Sequence, residues 1–303
     1  MVTMSLKPRK RRTKVASGDR PFNAVVMIIA ALALVVTLYP LIYVVSASLS
    51  SPLDLIAGRV WLWPVNFTLE GYKVVLAYER IWAGLYNSII ITVVGTVINL
   101  FVTIIAAYAL SRKDLKLRKP ILFMFTFTII FSGGLIPTYL LVRNLGLFNS
   151  LWALMLPNAM SVFNFMITRT YFSNNIPMEM LESAKMDGCS DFRFLVKIVL
   201  PLSGAIIAVI TLYYAVAHWN SFFSAILYIR DTTKQPLQVV LREILILNST
   251  EQMMEGTTKL EALYLAEQMK YSLIVLASLP LLIAYPFVQR YFVKGVMIGA
   301  IKG

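Results

Sequence analysis

Six stretches of the chain are apolar and carry no Asp, Glu, Lys or Arg in their cores: roughly 22–48, 86–110, 120–142, 149–168, 198–228 and 271–290. A helix needs about 20 such residues to cross a bilayer. In 303 residues this leaves little chain for a separate soluble domain. The expected fold class is all-α: a polytopic membrane protein with six transmembrane helices. Composition agrees, with 58% of residues hydrophobic and 14% charged, against about 25% charged in soluble domains. Glycine and proline inside the stretches are tolerable where neighbouring helices re-satisfy the backbone. The Gly133–Gly134–Pro137 cluster predicts a bend in the third.

Charge sets the orientation. With the N-terminus inside, the inner segments are 1–21, 111–119, 169–197 and 290–303. They hold 19 of the 28 Lys/Arg and 6 of the 15 Asp/Glu. The outer segments hold equal numbers of each sign, so the whole net charge of +13 lies on one side. The positive-inside rule makes that side cytoplasmic and places both termini there. The basic runs are short and flank spans, which argues against nucleic acid as a partner. The run from Phe22 to Ala47 exceeds the 7–15-residue core of a signal peptide, although "VSAS" at 45–48 imitates a cleavage site. A first transmembrane helix is the better reading.

Enzyme chemistry finds little support. There is one cysteine, Cys189, and one histidine, His218, so neither an internal disulfide nor a Cys/His metal cluster can form. No G-x-x-x-x-G-K-[ST] phosphate loop occurs. Glu182 and Asp187 form a carboxylate pair and Cys189 is a nucleophile type, yet no histidine lies near them in sequence. No catalytic residue, no metal and no cofactor of its own is expected. Two glycosylation-type sequons, at 66–68 and 248–250, read as chance matches.

The most polar connector lies between the fourth and fifth stretches: "NNIPMEMLESAKMDGCSDFRFLVKIVLP", 174–201. Asn174 or Asn175 can cap a helix, and Pro177 suits a first turn. Met178, Leu181 and Ala184 recur at helical spacing. Asp187–Gly188 ends that helix, because glycine accepts the left-handed conformation of a C-terminal cap. A second helix starts near Ser190–Asp191, with Phe192, Leu195 and Val199 along one side, and leads through Pro201 into the fifth span. Patterning alone leaves two readings open: a helix lying on lipid headgroups, or one that docks a protein.

The spacing Glu182-x-Ala184, then Gly188, then Ile198-x-Leu200-Pro201 resembles the EAA loop of ABC importer permeases. Ser183 replaces the usual first alanine. Asp187 before Gly188, "WNSFF" at 219–223 and the ending "KGVMIGAIKG" are also similar to the maltose-type carbohydrate permeases, in the subgroup for complex oligosaccharides of Gram-positive bacteria. The resemblance covers nearly the whole chain. It implies the type I importer permease fold, with a basic cytoplasmic tail at 1–21 and a six-span permease domain at 22–303. It implies a bacterial plasma-membrane protein with a second homologous permease, two cytosolic ATPases binding ATP and Mg, and an extracellular sugar-binding lipoprotein. Met178, Leu181, Glu182, Ala184, Asp187 and Gly188 would then form a coupling helix seated in an ATPase groove.

Sugars are recognised by aromatic faces and hydrogen bonds, and the fifth stretch offers both. Tyr214, His218 and Phe222 fall on one expected helical face, with Tyr213, Trp219 and Asn220 nearby. Asn164 and Phe165 in the fourth stretch and Asn87 in the second are further candidates. Helix packing is the competing reading, and an imidazole within a span is a functional candidate by default. The outer loop 229–270 is long, polar and in part helical by pattern; the resemblance makes it a probe of the binding protein's cleft, and a lid over the outer mouth is the other, compatible reading.

Two rivals remain. An ion-driven secondary transporter would need intramembrane carboxylates or matched broken helices in two halves, and the stretches show no carboxylate and no clear repeat. A plain anchor for a cytosolic enzyme would not need so polar and aromatic a fifth span. The sequence does not name the sugar.

Overall fold

The computed structural model describes the backbone at 20–246 and 259–300, and side chains at 21–245, 266–286 and 289. The basic tail up to residue 19, residues 247–258 of the expected 229–270 loop and the last three residues lie outside the described residues.

Among the described residues the chain is helical and has no strand. Helix α1 runs from Arg20 to Ser48, followed by short α2 (Pro52–Ile56) and α3 (Glu70–Ala77). Helix α4 is a long rod, Glu79–Ser111. Then come α5 (Arg118–Ile130), α6 (Leu135–Asn144), α7 (Trp152–Met155) and α8 (Val162–Asn175). The connector supplies α9 (Met178–Met186), α10 (Asp191–Phe194), a wide π turn (Leu195–Val199) and α11 (Leu200–Leu202). Helices α12 (Gly204–Trp219), α13 (Phe222–Tyr228), α14 (Leu237–Ile246) and α15 (Lys259–Ala300) complete the fold.

Among the described residues three helices are long and apolar enough to cross a membrane: Pro21–Ser48, Glu79–Ser111 and Ala266–Pro286. Two bent pairs raise the number to five if each is one span: α5 with α6, bent by 113°, and Asp191–Leu202 with α12, bent by 85°. The structure departs from the expected spans in the fourth and fifth stretches. The third stretch bends at Gly133–Gly134, where the cluster predicts it. The fourth, 149–168, is not one helix. It breaks after Met155 around Pro157 and restarts where Ser161 Oγ accepts from the Asn164 amide. The fifth turns sharply at Ser203 and breaks again at Asn220–Ser221.

Helix α4 is the spine. It packs on α8, α12 and α14. One core cluster gathers Ala107, Leu110, Phe165, Phe172, Leu181, Phe194, Val199, Ile210 and Tyr214. A second joins Ile81, Trp219, Leu237, Val240, Met269 and Leu273. By contrast α1 exposes most of its apolar side chains, such as Met27 at 72% and Val36 at 71%. Water would make such a surface costly; lipid tails would not.

Candidate functional site

The polar connector folds as a short exposed helix hinged to the core. Its C-terminus is capped as glycine permits: Gly188 has φ +73° and its amide donates to the Lys185 carbonyl, while the Cys189 amide donates to the Ala184 carbonyl. Nothing lies within 4 Å of the position a Gly188 Cβ would take, so the backbone angle and not crowding selects glycine. Ser190 Oγ then accepts from the Arg193 amide and starts α10.

The connector's apolar residues do not all face outward. Leu181 is buried at 4% exposure against Phe172, Phe194 and Val199. Met178 and Ala184 are half-buried on the same cluster. Leu181, expected to fill a partner's groove, instead holds α9 to this chain's own core, with Met178 half-buried beside it. Glu182, Asp187 and Gly188 are exposed, and so are Met180 and Met186, the last at 89%. Two further expectations change. Asn174 and Asn175 close α8 instead of capping α9, and Asn175 Nδ2 donates to the Tyr171 carbonyl. Phe192 is exposed at 73% while Phe194 takes the buried position. The π turn at Leu195–Val199 advances the helix by an extra residue, which a regular 3.6-residue spacing misses.

An ionic brace ties this connector to the end of α4. Arg112 Nη1 lies 2.6 Å from Asp191 Oδ1, and Lys185 Nζ reaches the same oxygen at 3.6 Å across the Gly188 turn. Arg112 also binds Asp114 through Nη2 at 2.5 Å. The hydrogen bond from Arg112 draws Asp114 below the usual carboxylate range and pushes Arg112 further up. The last carbonyls of α4 are capped by side chains: Arg118 and Arg169 donate to Leu110 O, and Ser173 donates to Ser111 O. Sequence reasoning missed Arg112 because its partner Asp191 lies in another segment, 79 positions away.

Helix α12 carries the second half of the site. Tyr214 and His218 are buried and face α4. Tyr214 Oη is 2.6 Å from Thr103 Oγ1 and accepts from the Ser161 amide at 3.1 Å. His218 Nε2 is 3.2 Å from Asn99 Oδ1, and Asn99 Nδ2 donates to the Asn158 carbonyl. The ring fits because Gly95 has no side chain; a Cβ there would sit 2.6 Å from His218 Cε1. Gly95, Asn99 and Thr103 recur every four residues, a polar stripe of small side chains that the α4 sequence displays.

A cavity of about 480 Å³ opens beside this network, lined by Asn99, Asn158, Ser161, Tyr214, His218 and Asn220 among others. Phe222 is not on it. The break at Asn220–Ser221 rotates α13 away from the face that 214 and 218 share, so the expected Tyr214–His218–Phe222 stripe is split. Phe222 instead lines a second cavity of about 680 Å³, with Trp219, Gln238 and Arg242. Asn220, exposed, borders both. Asn164 and Phe165 are buried, Phe165 stacking near Phe125 at 4.7 Å. Asn87 donates to the carbonyls of Thr233 and Gln235 and so anchors a loop. Tyr213 is exposed at 43%. Among the described residues no group of three His, Cys, Asp or Glu side chains is placed to hold a metal ion.

Comparison with known proteins gives this arrangement a family. Residues 100–298 match the model of the binding-protein-dependent transport system inner membrane component. The chain is 42% identical over 269 residues to the polygalacturonan/rhamnogalacturonan transport system permease protein YtcP of Bacillus subtilis, covering 87% of this chain and 92% of that one. It is also 42% identical over 268 residues to the B. subtilis protein LplC, covering 88% and 90%. A solved bacterial ABC transporter involved in the import of the acidic polysaccharide alginate has a chain that superposes with a TM-score of 0.83 at 33% identity, over 92% of this chain and 99% of that one. The chain therefore belongs to the family of binding-protein-dependent transport system inner membrane components, the permease subunits of ABC importers, which have no ATPase site of their own.

Proposed function

We propose that this chain is one of two homologous permeases in an importer that moves oligosaccharides into a bacterium, driven by two cytosolic ATPases. Binding-protein dependence implies an extracellular sugar-binding lipoprotein that delivers the cargo. The orientation has both termini inside and six crossings, α7 and α8 together making the fourth. The charge asymmetry of the connecting segments supports this orientation.

The observation that carries the proposal is mechanical. Exposed α9 is joined through the Gly188 turn to α10, and α10 leads through the 85° bend into α12, which bears Tyr214 and His218. A push on α9 is therefore delivered to the cavity wall through packed helix, and the Arg112–Asp191 pair keeps the push from being lost in the loop. Glu182, Met180 and Met186 form the outward face of α9 and are the residues to seat in an ATPase groove; Leu181, Met178 and Ala184 hold the helix rigid from behind. Asp187 and Gly188 set the angle. ATP and Mg belong to the ATPases.

On the membrane side the polar cavity of Asn99, Ser161, Tyr214, His218 and Asn220 suits a hydroxyl-rich cargo. Three named relatives carry carbohydrate polymers or oligomers: the polygalacturonan/rhamnogalacturonan permease, an arabinooligosaccharide permease and a diacetylchitobiose permease. The test is uptake of labelled pectic oligosaccharides by the purified complex in liposomes with ATP inside. Accumulation that needs both ATP and the binding protein supports the reading. ATP-independent uptake dissipated by an ionophore would return the chain to the secondary-transporter alternative.

A further inference from the structure

The second cavity holds one charge among its described lining residues, and no described side chain of opposite charge pairs with it. Arg242 on α14 is half-buried in a wall that is mostly apolar, with Trp219, Leu241, Leu245, Ile274, Ala277 and Leu281, and whose uncharged polar members are Asn220, Gln238 and Ser278. Its guanidinium lies 5.5 Å from the centre of the Phe222 ring, and no described carboxylate or carbonyl pairs with it. The neighbouring Glu243 does not serve, because adjacent helical residues point apart and Glu243 is bound by Arg80 at 2.8 Å. A cation held against an aromatic face in apolar surroundings strongly favours an anionic partner. Gln238 and Asn220 stand on the same cavity as hydrogen-bonding groups, and Asn220 also borders the cavity of Tyr214 and His218.

We infer that Arg242 is a specificity residue that receives the carboxylate of an acidic sugar unit, with Phe222 offering its ring to the sugar face and Asn220 passing the chain toward the His218 cavity. This rests on the oligosaccharide-import reading. A guanidinium fork matches a carboxylate in two parallel hydrogen bonds, whereas a neutral sugar offers it only single hydroxyls. The ligand class is therefore the uronate oligosaccharides, and selection occurs on the permease as well as on the binding protein.

The experiment compares oligogalacturonate with its methyl-esterified, uncharged form, delivered to the reconstituted wild-type, Arg242→Gln and Arg242→Lys complexes at saturating binding protein. The wild type is expected to import the acidic form faster. Arg242→Gln should lower acidic uptake by about tenfold, the scale of one charged hydrogen bond, and leave the esterified form unchanged. Arg242→Lys should retain part of the preference. Subunit recovery on purification is measured beside uptake. An equal fall for both sugars overturns the inference, as does loss of the partner permease from the Gln variant, which would assign the charge to the subunit contact. A wild type that imports only the esterified sugar overturns the inference and leaves oligosaccharide import standing. A wild type that imports neither overturns the import reading itself.

Discussion

Arg112, at the end of α4, and Asp191, at the start of α10, are joined by a 2.6 Å ion pair, although 79 positions separate them in the chain. The pair lies where α4, the spine of the fold, meets the hinge of the exposed connector. Its arginine is mostly enclosed, with 16% of its side chain exposed, while the aspartate is half exposed. Arg112→Ala should therefore do more harm than Asp191→Asn. Exposed pairs contribute about 0.2–1 kcal/mol, so the aspartate variant should shift the melting temperature little. The arginine variant also loses the ion pair with Asp114 and the interaction with Tyr108. Both should lower cargo-stimulated ATP hydrolysis more than basal hydrolysis, measured on purified complexes. Asp114 is held below the usual carboxylate range, so its contribution is present above that range and is lost only as pH falls through its lowered value. Coupling should accordingly be insensitive to pH near neutrality.

Leu181 and Glu182 are neighbours with opposite roles. Leu181→Ala opens the core under α9 and should cost about 2–5 kcal/mol of local stability. Hydrogen exchange at 178–186 reads that loss. Glu182→Ala should leave exchange unchanged, because the side chain is exposed in the free permease.

Gly95→Leu should force α4 and α12 apart, since even a Cβ would lie 2.6 Å from the His218 ring. Overpacking of this kind costs about 1–3 kcal/mol. A drop in the detergent melting temperature of the assembled permease pair checks it. His218→Ala should be milder, because interhelical hydrogen bonds in membranes average about 0.6 kcal/mol.

Gly188→Val places a β-branched residue at φ +73°. The strain of about 1–3 kcal/mol falls on the hinge alone, since no side chain crowds the position. Subunit assembly should survive and uptake should fail. Cargo uptake and ATPase recovery, measured on the same preparation, distinguish this from misfolding.

Much of this architecture is legible in the sequence, for identifiable reasons. Long uncharged runs announce α1, α4 and the middle of α15, and Gly188 announces the turn because few other residues take a positive φ. Hydropathy cannot see where a run bends. It misses the 85° turn at Ser203 and the breaks near Pro157 and Asn220, since each keeps apolar residues on both sides. Those breaks misplaced Phe222 and hid the second cavity. The inward aim of Leu181 was missed for a different reason. Helical spacing identifies the face that shares Met178, Leu181 and Ala184, but it cannot say whether a partner or the chain's own Phe172 and Phe194 covers it. The side chains after residue 289, which include the family-like ending "KGVMIGAIKG", lie outside the described residues.

The central claim is that α9 docks the ATPase and drives α12. The most direct measurement is the amount of ATPase that copurifies with permease carrying Glu182→Ala, set against oligosaccharide uptake by the same complex. A charged contact that is buried on docking costs about 2–5 kcal/mol when one partner is removed, so recovery should fall by about tenfold or more, with α9 still folded. Wild-type recovery together with wild-type uptake would contradict the account and leave α9 as a helix resting on the lipid surface.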